Sequence, residues 1–174
     1  MALLNAVTVL ISALLVVQGQ RASEYQLKAV FLFNFAQFVD WQPAAAQTPL
    51  LIGILGDDPF GTFLDETVRG ERVGVRPIEI RRYRQLADVD TCNILFISRS
   101  ENDRIADILP TLRNRLILTV SDADDFAKRG GMIQFVNDKN RIRLRINLEA
   151  AQAANVVISS KLLRLAEIVA PPRR

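Results

Sequence analysis

The stretch RLILTVSDADDFAKRGGM, Arg115 to Met132, joins an apolar run to a polar loop with three aspartates, a Lys-Arg pair and two glycines. The apolar part is typical of a buried strand. The polar part, Ser121 to Met132, predicts the end of that strand, a short capped helix and a glycine stop before the next strand. A metal or phosphate site is the alternative, because ligands of open α/β sheets bind outside the carboxyl ends of the strands.

Apolar runs of strand length alternate with amphipathic segments in the rest of the chain. The runs MIQFV and RIRLRIN, separated by the turn residues NDKN, predict an antiparallel hairpin after the polar loop. The sequence therefore predicts one α/β domain over residues 23–170. We expect a three-layer sandwich with a mostly parallel central sheet and an antiparallel hairpin at its edge. The other expected strands are LLIGILG (Leu50–Gly56), PIEIRRY (Pro77–Tyr83), CNILFIS (Cys92–Ser98) and LILTVS (Leu116–Ser121).

The segment from Ser23 to Trp41 predicts the first helix, with Ser23 as its N-cap and apolar residues at i, i+3 and i+4 spacing. The stripe expected to face the core consists of Leu27, Val30, Phe31, Phe35 and Phe38. A second helix is expected from Asp57-Asp58-Pro59 to Val68, and a third after a Ser100 cap, with Ile105, Ile108, Leu109 and Leu112 as its buried stripe. Two more are expected, one starting near Leu148 and one over KLLRLAEIV, capped by Ser159 or Ser160.

The first 22 residues predict a signal peptide that is cleaved near residues 19–22. The run Ala2–Val17 carries no charge, and it is shorter than the roughly 20 residues of a membrane span. A buried N-terminal helix and an uncleaved membrane anchor are the alternatives. The expected location of the mature protein is therefore the periplasm. At the other end of the chain, residues 171–174 are expected to form a C-terminal tail.

Composition excludes several functional classes. The net charge is only +3 and the arginines are spread along the chain, so no basic cluster predicts nucleic-acid binding. The chain has no histidine, the commonest general base and metal ligand, and it lacks the common nucleophile and phosphate-loop motifs. We therefore expect no enzymatic activity, no cofactor and no metal. The single cysteine, Cys92, makes no internal disulfide, and it is expected in the core because it starts the apolar run CNILFIS. A disulfide to another chain is the alternative.

Three polar loops follow predicted strands and are expected to meet at one edge of the sheet: GDDPFG, SRSEND and SDADDF. Most of their polar side chains, including Ser100, Asp122 and Asp124, are interpreted as helix caps. A Mg²⁺ site or a carboxylate hydrolase built on Asp57, Asp58 and Asp122 is the weaker alternative. The candidate ligand pocket consists of Gly56, Asp57, Asp58, Phe60, Gly61, Ser98, Ser121 and Asp122.

Six pieces of the chain, taken in order, resemble the YfiR/HmsC-like family over about residues 23 to 169. They are EYQLKAVFLFNFAQFVDW, IGILGDDPFG, CNILFIS, LILTVSDADDFAKRGGMIQFV, NRIRLRINLEAA and ISSKLLRLA. The resemblance implies a bacterial periplasmic regulator without enzymatic activity. It implies binding to the periplasmic part of a membrane-bound diguanylate cyclase, or of another sensor protein, which represses the cyclase and restrains cyclic-di-GMP signalling and biofilm formation. A periplasmic small-molecule-binding module that feeds a membrane sensor is the alternative function.

The chain departs from the best-known family pattern in its cysteines. Those members carry paired cysteines that form disulfides, whereas this chain has only Cys92, so an internal redox switch is excluded. Release of a partner then depends on a ligand or on competition for a surface. The first helix has more aromatic residues than one buried stripe needs, and Phe33 lies off that stripe. We therefore expect a partner surface at Tyr25, Phe33 and Trp41, used by the sensor or by a second copy in a homodimer. The alternative is that Phe33 packs against a neighbouring helix of the same chain.

Overall fold

The computed structural model describes residues 24–41, 48–139 and 141–170. The predicted signal peptide, the Ser23 cap and the C-terminal tail lie outside these ranges. Residues 24–38 form helix α1, and strand β1, Val39–Asp40, follows it directly. The helix was predicted to continue to Trp41, which is wrong, because β1 pairs with strand β9, Val157–Ile158, in a small antiparallel sheet.

The main sheet has eight strands in the order β10-β8-β7-β6-β5-β2-β4-β3. The strands β4, β2, β5, β6 and β7 are parallel neighbours, whereas β7–β8 and β3–β4 are antiparallel. The mostly parallel sheet is therefore confirmed, and β10 pairs parallel with β8 outside the predicted hairpin. The strands are β2 Leu50–Leu55, β3 Arg72–Val73, β4 Arg76–Tyr83, β5 Ile94–Ile97, β6 Leu118–Ser121, β7 Ile133–Asp138, β8 Arg141–Ile146 and β10 Ala166–Ile168.

Helices cover both faces of the sheet and confirm the α/β fold. One core cluster packs α1, α2, α4 and α5 against one face, with alternate strand residues such as Ile52 and Phe96. The other cluster packs α3 and the segment around Phe126 against the opposite face, with Leu95 and Ile97. The remaining helices are α2 Phe63–Val68, α3 Ile105–Leu112, α4 Leu148–Ala153, α5 Ser160–Leu163 and two 3-10 helices, Leu86–Asp88 and Arg99–Arg104. Among the described residues, none of these helices has the length and apolar character needed to cross a membrane.

The buried face of α1 differs from the predicted stripe. Leu27 and Val30 are 45% and 41% exposed, whereas Leu32 is fully buried. The helix is rotated relative to the prediction, because an aromatic-rich helix offers two overlapping apolar faces and the lysine at position 28 turns inward. The core-facing positions are Lys28, Ala29, Leu32, Phe35 and Ala36.

Several predicted helix starts are displaced. Helix α2 begins at Phe63, because Asp58 Oδ1 accepts the Phe60 amide in a tight turn and leaves Asp57–Pro59 outside the helix. The cap before α3 is Ser98 and not the predicted Ser100. The Ser98 hydroxyl accepts a hydrogen bond from the Ser100 amide at the start of the 3-10 helix Arg99–Arg104. Ser159 does cap α5, as predicted, but KLLRLAEIV is helical only to Leu163, since Ala166–Ile168 joins the sheet as β10.

The decisive segment after β6 contains no helix. Residues 122–131 form successive turns, with Asp125 at φ 53° and Gly130 at φ 102°. Phe126 is fully buried beneath Gly131, where an added Cβ would lie 2.1 Å from the phenyl ring. The prediction of a short capped helix is therefore wrong: burial of Phe126 and the tight glycine approach select turns instead.

Candidate functional site

A polar cavity of about 160 Å³ lies at the carboxyl ends of the central strands. Strand β6 ends at Ser121, while β7 continues to Asp138, and their register pairs only Val120 with Ile133 and Ser121 with Gln134. The cavity occupies the place where a longer β6 would continue beside β7. Its lining residues are Glu24, Lys28, Arg99, Asp122, Asp124, Gln134, Phe135, Val136 and Asn137. We call it the Asp122 cavity.

A buried charge cluster joins α1 to the end of β6. Lys28 Nζ lies 2.6 Å from Asp122 Oδ2 and 2.5 Å from Glu24 Oε1. The Tyr25 hydroxyl donates to the same Asp122 Oδ2 at 2.7 Å, and Lys28 Nζ lies 4.2 Å from the centre of the Tyr25 ring. Lys28 is 2% exposed and Asp122 is 6% exposed, so both charges depend on these protein partners rather than on bulk water.

The second oxygen of Asp122 has no such partner. Within the described part of the chain, Oδ1 is buried and accepts no hydrogen bond. Buried polar atoms in native proteins are nearly always hydrogen-bonded, to protein, ordered water or ligand. Asp122 also lines the cavity, so the carboxylate whose second oxygen has no donor from the surrounding protein borders this space.

Burial and charge also act on Tyr25. Burial of the phenol, together with the nearby Asp122 carboxylate, raises the pKa of Tyr25 far above its ordinary value. The hydroxyl therefore stays protonated and remains a donor to Asp122. The Tyr25 ring packs edge-on against Phe60 at 5.6 Å, and Phe60 packs against Phe96 at 4.8 Å, so the donor is held by the core.

Neighbouring side chains fix the backbone on which Asp122 sits. Ser121 Oγ donates to the Ile97 carbonyl at 2.6 Å and accepts from the Ala123 amide at 3.0 Å. Gln134 Nε2 donates to the Ala123 carbonyl at 3.1 Å, which ties β7 to the turn segment. At the cavity rim, Arg99 pairs with Asp124 at 2.6 Å. The backbone is thus held at Ser121 and at Ala123, the residues before and after Asp122, which fixes where the Asp122 carboxylate lies.

The other predicted pocket residues lie elsewhere. The exposed Asp57 donates its amide to Ser100 Oγ, and Asp58 pairs with Arg82 at 2.7 Å. Ser98 and Ser121 are buried and hydrogen-bonded to neighbouring backbone. Among the predicted pocket residues, the Asp122 cavity includes Asp122 and none of Gly56, Asp57, Asp58, Phe60, Gly61, Ser98 or Ser121.

Interpretation of Asp122 and Asp124 as helix caps is wrong. No helix follows them, and Asp122 binds Lys28 and Tyr25, whereas Asp124 binds Arg99. A Mg²⁺ site on Asp57, Asp58 and Asp122 has no support either. Among the described residues, no group of three or more acidic, cysteine or histidine side chains could hold a metal ion.

The lone cysteine lies in the core, as predicted. Cys92 is 9% exposed, and its thiol donates to the Ile94 carbonyl at 2.9 Å. Gly53 lies against it, since a Cβ there would meet the Cys92 sulfur at 2.9 Å. Burial raises the pKa of Cys92 to about 12, so the thiol is protonated at neutral pH and unreactive.

The predicted partner residues on and after α1 are partly buried. Tyr25, Phe33 and Trp41 all pack against the larger core cluster. Tyr25 donates to Asp122, and Trp41 Nε1 donates to the Ala36 carbonyl at 2.9 Å. The apolar side chains that α1 exposes most are instead Leu27 and Val30, one turn apart.

Sequence reasoning missed the residues that complete the Asp122 cavity, above all Lys28, Glu24, Arg99 and Gln134. One local signal exists: a lysine within the aromatic run of α1, four residues after a glutamate, is unusual on a core-facing helix. Its partner Asp122 lies 94 residues further along, so no local pattern connects the two.

The fold and its cavity define a class: an α/β domain with one mostly parallel sheet and a polar cavity at the strand ends. A family model described as YfiR/HmsC-like matches residues 25–167, and the chain belongs to this family. The family is one of periplasmic proteins and is associated with regulation of diguanylate cyclase signalling. No curated protein matches the chain significantly.

Proposed function

We propose that the protein is an exported, non-enzymatic regulator that binds the periplasmic part of a membrane sensor and represses a diguanylate cyclase. The family match over residues 25–167 carries this proposal. The chemistry of the described residues agrees with it, because the polar cluster at the strand ends has no histidine and the described residues contain no group of side chains that could hold a metal ion. Repression would lower cyclic-di-GMP and restrain biofilm formation.

The outer face of α1 is the partner surface that we propose. Leu27 and Val30 expose apolar side chains one turn apart, and the predicted partner residue Phe33 lies one turn beyond Val30. Adjacent apolar side chains on a helix are typical anchors for a facing partner helix. A second copy of the chain is the other occupant that this surface could take, as a homodimer.

Capture from detergent-solubilised membranes with the tagged mature protein tests the proposal, with bound proteins identified by mass spectrometry. We expect a membrane sensor with a periplasmic domain, and lower cellular cyclic-di-GMP when the protein is overproduced. The double variant Leu27→Ser/Val30→Ser should weaken capture about tenfold or more, as for loss of an interface anchor. Gln26→Ser is the matched control, since Gln26 is exposed on the same turn and polar.

Three results would contradict this proposal. Capture of no membrane protein by the wild type would remove the sensor, and equal capture by the double variant would move the surface away from α1. Size-exclusion chromatography of both variants separates homodimerisation from sensor binding. Cell fractionation with N-terminal sequencing of the mature chain tests export, and a full-length cytosolic protein would contradict it.

A small-molecule-binding module that feeds a membrane sensor is the second candidate. The Asp122 cavity favours it, because a buried unpartnered carboxylate oxygen is a feature that a ligand donor would satisfy. A thermal-shift screen of small metabolites, run beside the capture experiment, distinguishes the two functions. A strong ligand shift without a captured membrane protein would favour the module.

A further inference from the structure

We propose that the Asp122 cavity binds a small organic cation, with a primary ammonium group directed at Asp122. This inference deepens the second candidate function and rests on it, and it is independent of the sensor's identity. It starts from three properties of the cavity: its charge, its size and the unpartnered oxygen.

The charge of the cavity favours a cation. Three carboxylates, those of Glu24, Asp122 and Asp124, face two cations, Lys28 and Arg99, so one negative charge remains. Arg99 and Asp124 neutralise each other at the rim, at 2.6 Å. The surplus therefore belongs to the inner group, where Lys28 is shared between Glu24 and Asp122.

The unpartnered oxygen specifies the kind of group that is missing. Asp122 Oδ2 already accepts from Lys28 and Tyr25, whereas Oδ1 accepts from no group in the described ranges. An ammonium group brings three N–H donors and a positive charge, which matches both the free oxygen and the surplus charge. A metal ion fits less well, because the described residues contain no group of three or more carboxylates that could hold it.

The size of the cavity limits the ligand. A volume of about 160 Å³ corresponds to roughly five water molecules of about 30 Å³ each. A compact amine with a short polar chain fits this space, and a nucleotide does not. The buried Phe135 and the half-buried Val136 provide an apolar wall for the carbon atoms of such an amine.

Titration of the ¹⁵N-labelled mature protein with ethanolamine tests the proposal by ¹H–¹⁵N NMR. Ethylene glycol and acetate serve as probes of similar size without the positive charge, at constant ionic strength. We expect ethanolamine to shift amide signals of Glu24, Lys28 and residues 134–137, with the weak affinity of a fragment. Ethylene glycol and acetate should leave those signals unchanged.

Two variants locate the binding. Asp122→Asn should weaken ethanolamine binding about tenfold or more, because it removes a charge-assisted hydrogen bond. Asp107→Asn is the matched control and should bind like wild type, since Asp107 is exposed on α3 and outside the cavity. If Asp122→Asn fails to fold, Val136→Phe keeps the test open: it fills the cavity without changing a charge and should abolish binding.

Three outcomes overturn the inference. Equal shifts with ethylene glycol would show that charge is irrelevant to the cavity. Shifts with acetate alone would make the cavity an anion site, so the ligand class would be wrong while a binding module would stand. No shift with any of the three probes would remove both the ammonium proposal and the cavity as the site of a module.

Discussion

Two ion clusters hold this domain together in different ways. In the first, Lys28 pairs with Asp122, and counted without their backbone atoms the two side chains are 3% and 4% exposed. In the second, Arg82 bridges Asp58 and Asp65 on the surface, with the Arg82 side chain 41% exposed. Both contain short N–O contacts, of 2.6 Å for Lys28–Asp122 and 2.7 Å for Arg82–Asp58.

The difference between them lies in what remains when one partner is removed. Water replaces a lost partner at the surface, so exposed pairs contribute little. Water does not reach the buried pair, so the surviving charge stays without compensation. The buried cluster therefore fixes the position of α1 on the sheet. The surface cluster adds only a small amount of stability, where the loop after β2 and helix α2 meet strand β4.

The largest expected effect is that of Lys28→Met. It leaves Asp122 as a buried charge without its cation, and we expect a loss of about 3–5 kcal/mol in the free energy of unfolding. Urea denaturation followed by circular dichroism measures it. The double variant Lys28→Met/Asp122→Leu should recover much of that loss, because two apolar side chains replace the pair. A double variant no more stable than Lys28→Met would break the comparison.

Gly131→Ala tests the backbone that carries the buried cluster. The new Cβ would lie 2.1 Å from the Phe126 ring, so the ring must move, and we expect a loss of about 1–3 kcal/mol. The double variant with Phe126→Leu makes room for the methyl group. Its loss should be smaller than the sum of the two single losses, and simple additivity in urea denaturation would contradict this packing.

Cys92 provides a third case, a buried group that stays neutral. Burial raises the pKa of Cys92 to about 12 in the folded protein, above its ordinary value of 9.0. The stability that the buried neutral thiol contributes is fully present below pH 9. It is lost as pH rises towards 12, because the unfolded chain gives up the thiol proton first. Wild type should therefore lose about 1 kcal/mol more than Cys92→Ala between pH 9 and pH 10.

The readout for Cys92 is the slope of stability against pH, since the alanine variant also loses packing at every pH. Urea midpoints at pH 8, 9 and 10 measure that slope. Parallel curves for wild type and Cys92→Ala would show that the thiol does not titrate differently on folding. Tyr25 contributes a similar alkaline loss in both proteins, because burial and Asp122 raise its pKa too.

The smallest expected effect is that of Arg82→Met. It breaks both ion pairs of the surface cluster, yet we expect a loss of about 1 kcal/mol or less, and a smaller one at high salt. The hydrogen bond from Arg82 lowers the pKa of Asp65, so the cluster's contribution is present at neutral pH and lost as pH falls through that lowered pKa. A loss as large as that of Lys28→Met would erase the distinction between the clusters.

Much of the fold could be predicted from local sequence patterns. Continuous apolar runs such as Leu50–Leu55 and Ile94–Ile97 became buried parallel strands, because a strand covered on both faces has no polar side to show. The alternation in RIRLRI predicted β8 for a different reason, because a strand with one solvated face alternates polar and apolar side chains. The Ser159 cap was predictable because a cap depends only on residues within one turn.

Other features were decided by tertiary structure. Strands β1, β9 and β10 have two or three residues each, too few for a periodic pattern, and they exist because a distant strand pairs with them. Residues 122–131 carry a helix-like composition but form turns, because the fully buried Phe126 ring and the Gly131 contact set their path.

The candidate site likewise has one part that the sequence predicts and one part that depends on the tertiary structure. The sequence by itself determined that polar groups follow the strands, that Asp122 is among them, and that no histidine and no internal disulfide is available. Only the folded chain brought Lys28 to Asp122 across 94 residues and left one carboxylate oxygen without a donor. Local patterns report which face of an element is apolar, whereas the pairing of buried charges depends on how those elements pack, which is a long-range property of the whole core.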